Sequence, residues 1–209
     1  MARAEPLVVE VRDIQPGEYP TAVSLLAEGF RDNPLPTVML GPHADRRVRG
    51  LERLFGAMFR VMDSQTPLVA TDGSSIVGVT GIAPPGTCQP TVTQLSKMLP
   101  SLVSCGPSPL LRLGSWMHTW GSLDPSEPHA HLGPFAVDSR LRGRGIGSQI
   151  LAEYCRRLDA SGLMGYLETE TEDNVRLYTR FGFTVTARRQ VIGVPNWFMR
   201  REPVALDAG

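Results

Sequence analysis

The chain has 209 residues, 42% of them hydrophobic and 20% charged, with Lys+Arg and Asp+Glu equal at 21 each. That length suits a single domain over 1–209, and the composition is that of a globular protein in water. Balanced charge gives no global field for nucleic acid or anionic lipid, so neither is expected as a partner and any anion must be held locally.

In chain order, residues 7–14 (LVVEVRDI) read as a strand bounded by Pro6 and by Pro16-Gly17. Residues 19–30 carry apolar side chains at helical spacing, with Thr21 as a candidate N-cap and Asp32-Asn33-Pro34 as the stop. A second helix is predicted from Asp45 to about Met62, where Val48, Leu51, Leu54, Phe55, Met58, Phe59 and Met62 share one face. Residues 67–83 read as a hairpin about Asp72-Gly73. The stretch 84–128 is rich in proline, holds two of the three tryptophans and contains two amphipathic pieces, so it reads as a helical insertion packed on the domain. Strand 129–137 then leads into glycines and a helix to about Ala160. Strand 165–171, a short helix over 173–182, and strands 184–193 and 196–202 close the order β-α-α-β-β, insertion, β-α-β-α-β-β. This is a mixed α/β sheet with helices on both sides.

Cys88, Cys105 and Cys155 are odd in number and widely spaced. They suggest neither a disulfide framework nor a metal-ligand cluster, so a reduced compartment and no metal are expected. No apolar run approaches the roughly 18 residues of a membrane span, and MARAEPLVVEVRD lacks a signal-peptide core. The expected location is the cytoplasm.

The stretch DSRLRGRGIGSQIL (138–151) sets glycine and arginine at a helix N-terminus, where both are unfavourable. An anion there resolves both penalties, because glycines admit it to the backbone and the helix's first free N–H groups point at it. A Walker loop fails for want of Lys followed by Ser or Thr after the last glycine. A dinucleotide fingerprint fails because its third glycine would fall at Ser148. The pattern R-x-x-G-x-G, met by Arg142, Gly145 and Gly147, remains, beside the plainer reading of a glycine-rich surface turn.

LGPFAVDSRLRGRGIGSQIL resembles the acetyl-coenzyme A signature of the GNAT superfamily of N-acetyltransferases. Downstream, YLETETEDNVRLYTRFGFTV resembles that superfamily's second motif, with Asn174, Tyr178, Gly182 and Phe183 in place. The two motifs cover about 129–186, and the flavour is that of small-molecule, puromycin-type members. The resemblance implies a mostly antiparallel sheet of about seven strands with a splayed central pair. It implies pyrophosphate on the backbone of Gly143, Arg144, Gly145, Ile146, Gly147 and Ser148, with Arg142 and Arg144 adding charge. It also implies a pantetheine arm along Phe135, Ala136 and Val137, with Asn174 and Tyr178 completing the coenzyme site, and a strand bulge that Gly133-Pro134 would permit.

Tyr178 corresponds to the family's general acid; otherwise it is a half-buried aromatic. His131 stands where several members carry a base, with His129 beside it and Glu168 and Glu170 as rivals on the next strand; otherwise it is a hydrogen-bonded edge histidine. Phe30 and its exit loop to Pro36, Trp116, Trp120 and Trp197 are expected to line the acceptor pocket, although core packing accounts for the tryptophans equally simply. The expected function is transfer of an acetyl group from acetyl-CoA to a primary amine of a small molecule by direct attack. The alternative is a non-catalytic acyl-CoA-binding regulator on the same fold. A homodimer is left open.

Overall fold

A computed structural model describes residues 5–62 and 64–205. Seven strands form one sheet in the order β1-β2-β3-β4-β5-β7-β6. They are β1 (Glu10–Asp13), β2 (Leu68–Thr71), β3 (Ile76–Ala83), β4 (His129–Val137), β5 (Met164–Thr169), β6 (Thr184–Val191) and β7 (Val194–Arg201). Every neighbouring pair is antiparallel except β4 with β5. The sheet is thus mixed and mostly antiparallel, as expected.

The helices are α1 (Tyr19–Phe30), α2 (Pro34–Leu40), α3 (Ala44–Val61), α4 (Val92–Val103), α5 (Pro107–Gly121), α6 (Ile146–Ser161) and α7 (Glu172–Thr179). Helices α1 and α3 bury Ala22, Leu26, Leu51 and Phe55 against Val69, Val79 and Ala136 of the sheet. On the opposite face, Leu151, Tyr154 and Leu158 of α6 and Tyr178 of α7 pack on Leu132, Leu167 and Met199. Alternation along each strand divides the residues between these two cores.

The structure adds one helix and corrects two local expectations. Helix α1 ends at Phe30, ahead of Asp32-Asn33-Pro34 as expected, but after an extended Asn33 (ψ 151°) Pro34 opens α2, because proline's fixed φ and missing N–H suit a first helical turn. Helix α1 starts before Thr21, with Glu18 as its N-cap and Pro20 in its first turn. The first strand is confined to Glu10–Asp13. Residues Leu7 and Val9 instead bond the glycine region, Leu7 N–H to the Arg144 carbonyl (3.0 Å) and Val9 N–H to Gln149 Oε1 (3.1 Å). Segment 84–128 holds α4 and α5, with Thr91 and Gln94 forming a capping box at the start of α4.

Two polar clamps fix the parts around the splay. Arg47, 7% exposed, reaches from α3 to Asp32 (2.6 Å) and to the carbonyls of Gly41 (3.1 Å) and Pro42 (2.7 Å), fastening the α1–α2 turn. Arg201 of β7 grips both carboxylate oxygens of Asp159 in α6 (2.7 and 2.9 Å) and donates to the Phe181 carbonyl (2.9 Å) after α7.

Candidate active site

Strands β4 and β5 pair only over His129–His131 and Met164–Tyr166. Beyond that β5 continues against β7, leaving residues 132–137 of β4 without a strand partner on that side. Between Leu132 and Phe135 the β4 chain has one residue more than β3 has between Ile82 and Thr80, which is a β-bulge at Gly133-Pro134. The bulge turns the edge away from β5, and Pro134 has no N–H to donate there. The result is a V-shaped opening with a free strand edge along one wall.

That edge runs to the glycine turn. Gly143 and Gly145 both have φ of +79°, and a Cβ at either would meet nothing within 4 Å. Such left-handed backbone strongly favours glycine, and here it faces open space rather than packing. Gly145 is the N-cap of α6, so the first amides of α6, from Ile146 through Ser148, lack helical partners. Gly147 serves close packing instead. A Cβ there would lie 3.4 Å from the Phe135 ring and 3.7 Å from Val137, so glycine lets the first turn of α6 lie against β4. Free strand edge, left-handed glycines and helix N-terminus follow one another along the chain, and the last offers unpaired N–H groups of the kind that hold an anion.

The arginines divide. Arg142 is exposed and has no acidic partner among the described residues. Arg144 donates to the Glu5 carbonyl (3.2 Å) and thereby fastens the chain ahead of β1. Asn174 donates its side-chain amide to Thr169 Oγ1 (3.2 Å), tying α7 to the end of β5. Its backbone N–H is capped by Thr171.

Tyr178 is 5% exposed, beside Phe183, and its hydroxyl has no hydrogen-bond partner among the described residues. Burial, with a smaller contribution from the Glu170 charge, pushes the hydroxyl well above the ordinary tyrosine range. It therefore carries its proton at every working pH. Glu170 lies just past β5 and is partly exposed. Burial pushes its carboxyl above the usual carboxylate range, against an opposite pull from its own backbone N–H and the Asn33 side chain. Glu170 thus stands between Tyr178 and the α1–α2 turn. Asn33 is a neighbour that no pattern in the sequence signals.

His131 is held differently. Its Nε2 bonds Glu168 Oε2 (2.8 Å), and its Nδ1 lies 3.6 Å from Asp124 Oδ1. His129 sits on the same face, with Nδ1 bonded to the Glu127 carbonyl (2.9 Å) and Nε2 3.3 Å from Cys88 Sγ. Tyr166 presents its ring to both imidazoles and donates its hydroxyl to the Leu123 carbonyl (2.7 Å). The shared parity of His129 and His131 is legible in the sequence, but Cys88 and Asp124 as their neighbours are not. Cysteine spacing therefore does not reveal that Cys88 meets other ligand-type side chains.

Of the expected acceptor residues, Trp116 and Trp120 form a T-shaped pair (5.0 Å) in the cluster of Leu35, Tyr166 and Phe198, on the Glu168 side of the sheet. The indole N–H groups of both are buried without partners among the described residues. Phe30 instead packs on Phe55 (5.4 Å) in the α1–α3 core, and Trp197 stacks under Arg188 (4.7 Å) near the α7 face.

The fold occurs in solved acetyltransferases. A structure described as histone acetyltransferase HPA2 and related acetyltransferase from Corynebacterium glutamicum is 23% identical with a TM-score of 0.72, over 96% of this chain and 99% of that one. An agmatine N-acetyltransferase is 18% identical with a TM-score of 0.60, over 93% and 99%. The ribosomal-protein-S18-alanine N-acetyltransferase from Escherichia coli is 12% identical with a TM-score of 0.55, over 97% and 99%. Among the described residues no helix is long and apolar enough to cross a membrane. Residues 41–183 match the Acetyltransferase (GNAT) family, and with the splayed pair and glycine turn within that span, the chain belongs to this family of acetyl-CoA-dependent acyltransferases.

Proposed function

We propose that the protein acetylates a primary amine of a small molecule, with Tyr178 as general acid and Glu170 as general base. The observation that supports this reading is that Glu170 and then α7, which carries Tyr178, directly follow β5 beyond the stretch where β5 pairs with β4. Acetyl-CoA supplies the activated acyl group; residues 132–137 and the amides of 143–148 would hold it. An amine reaches the site protonated, and Glu170, raised towards neutrality by burial, accepts that proton directly or through water. Tyr178 keeps a proton at its hydroxyl for the departing sulfur. A free N–H of the bulged strand polarises the carbonyl, as fixed backbone donors do.

The base is assigned to Glu170 rather than His131 because both ring nitrogens of His131 are directed at carboxylates. Glu168, with its side chain 2% exposed, is committed to His131. For the acceptor, Trp116, Trp120 and Leu35 offer an apolar and aromatic wall in the cluster that includes Tyr166 of β5. Such a wall suits an amine on a compact apolar body. The agmatine acetyltransferase of the same fold modifies a small amine, whereas the S18-alanine enzyme modifies a protein; the wall favours the former class.

The test is thiol release from acetyl-CoA across a panel of small primary amines and lysine-bearing or N-terminal peptides. The expected result is a higher kcat/KM for an aromatic or aliphatic monoamine than for any peptide. Preference for peptides would overturn the acceptor class.

A further inference from the structure

Apart from the acyl-transfer residues, Cys88 Sγ, Asp124 Oδ1, His129 Nε2 and His131 Nδ1 all lie within 4.8 Å of one another. Three of the separations are 3.3 Å (Cys88 to His129), 3.4 Å (His129 to Asp124) and 3.6 Å (His131 to Asp124). Metal–ligand bonds of about 2.0–2.3 Å place the corners of a tetrahedral site roughly 3.3–3.8 Å apart. The three distances fall in or at the edge of that range.

The outer partners agree. His131 Nε2 faces Glu168 Oε2, and His129 Nδ1 faces the Glu127 carbonyl. An acceptor on the far nitrogen places the proton there and leaves the near nitrogen as a lone pair, the arrangement usual behind metal-bound histidines. The near atoms are then two lone pairs, a sulfur and a carboxylate oxygen, pointed at one another. His131 is 9% exposed, and its Nδ1, like Asp124 Oδ1, is buried with no hydrogen-bond partner among the described residues. A hydrogen bond would draw that pair to about 2.7–3.2 Å, closer than the 3.6 Å between them.

We propose that Cys88, Asp124, His129 and His131 form a zinc(II) site. Mixed thiolate, imidazole and carboxylate donors suit zinc, and four protein ligands leave no position for substrate, so the site is structural. It occupies a strategic place. Cys88 precedes α4, Asp124 follows α5, and both histidines belong to β4. One ion therefore fastens both ends of the helical insertion to the paired end of β4. The base and acid assigned above are not ligands, so this proposal and the acyl-transfer reading stand or fall separately.

The experiment is elemental analysis of untagged, dialysed protein, followed by cobalt(II) substitution. The expected result is about one zinc per chain. The cobalt protein should show strong tetrahedral visible bands with a sulfur-to-cobalt charge-transfer band that survives Cys105→Ser. Cys88→Ser should lose that band and lower zinc affinity at least tenfold. Two outcomes overturn the proposal. One is zinc below ~0.1 per chain with no uptake by metal-free protein against a chromophoric chelator. The other is a cobalt spectrum lacking the sulfur band in the wild-type chain, a readout that stands even if Cys88→Ser does not fold.

Discussion

Replacing Gly145 by alanine separates what the glycine turn does for folding from what it does for the coenzyme. At φ +79° with open space around the new methyl, the folding cost is that of left-handed backbone alone. That is about 1–2 kcal/mol, or a Tm lower by ~2–8 °C for a chain of this size. Binding suffers more, because the methyl projects from the N-cap of α6, where the pyrophosphate would meet the amides. Losing one charge-assisted backbone hydrogen bond costs about 1.5–3 kcal/mol, so Kd for acetyl-CoA should rise ~10- to 100-fold. Gly73 in the β2–β3 turn supplies the control: its φ is +102°, and a Cβ there also meets nothing within 4 Å. Gly73→Ala should show a similar fall in Tm and an unchanged Kd. Calorimetric titration with acetyl-CoA and thermal melts of both variants decide the matter. Equal Kd values for wild type and Gly145→Ala would refute placement of the pyrophosphate on this turn.

Other outcomes follow from the same geometry. Glu170→Gln should lower kcat ~100-fold and abolish the acidic limb of the kcat/KM profile, which in the wild type lies above the usual carboxylate range; an unchanged limb would exclude Glu170 as the base. The same variant should be more stable than wild type at neutral pH and equal to it well below the unfolded carboxyl pKa, because a raised folded pKa penalises only the ionised form. Tyr178→Phe should reduce kcat about tenfold or more with little change in coenzyme Kd, and undiminished turnover would remove Tyr178 from the chemistry. Arg201→Leu leaves Asp159 and the Phe181 carbonyl without their donor, so a loss of roughly 2 kcal/mol and a Tm fall of ~4–8 °C are expected. Asp159 is held below the usual carboxylate range first by Arg201, so its contribution should be present at neutral pH and vanish on acidification through that lowered pKa; a melt insensitive to Arg201→Leu would deny the clamp.

The elements that are legible in the sequence are those whose signal is local. The β4 strand, the glycine turn and α6 follow one another along the chain, so their pattern and dihedrals coincide. Pro34 is legible as the end of one helix but not as the start of α2, because the two roles look alike without the backbone of Asn33. That Phe30 packs on Phe55 and Trp197 under Arg188 is not legible in the sequence, because periodicity says that a side chain is apolar, not which core it enters. Cys88 and Asp124 carry no local signal because their partners lie across the two-helix insertion. The base stays open among three residues in the sequence; the hydrogen bond between His131 Nε2 and Glu168, which no local pattern signals, is the reason the proposed reaction uses Glu170.

The central claim is that coenzyme occupies the opening between β4 and β5 and delivers its acyl group beside Tyr178 and Glu170. A crystal structure with bound coenzyme A tests it most directly. The pyrophosphate is expected on the amides of 143–148, the pantetheine along the free edge of 132–137, and the sulfur within reach of the Tyr178 hydroxyl. Coenzyme bound elsewhere, or a sulfur on the far side of the sheet from Tyr178, would contradict it.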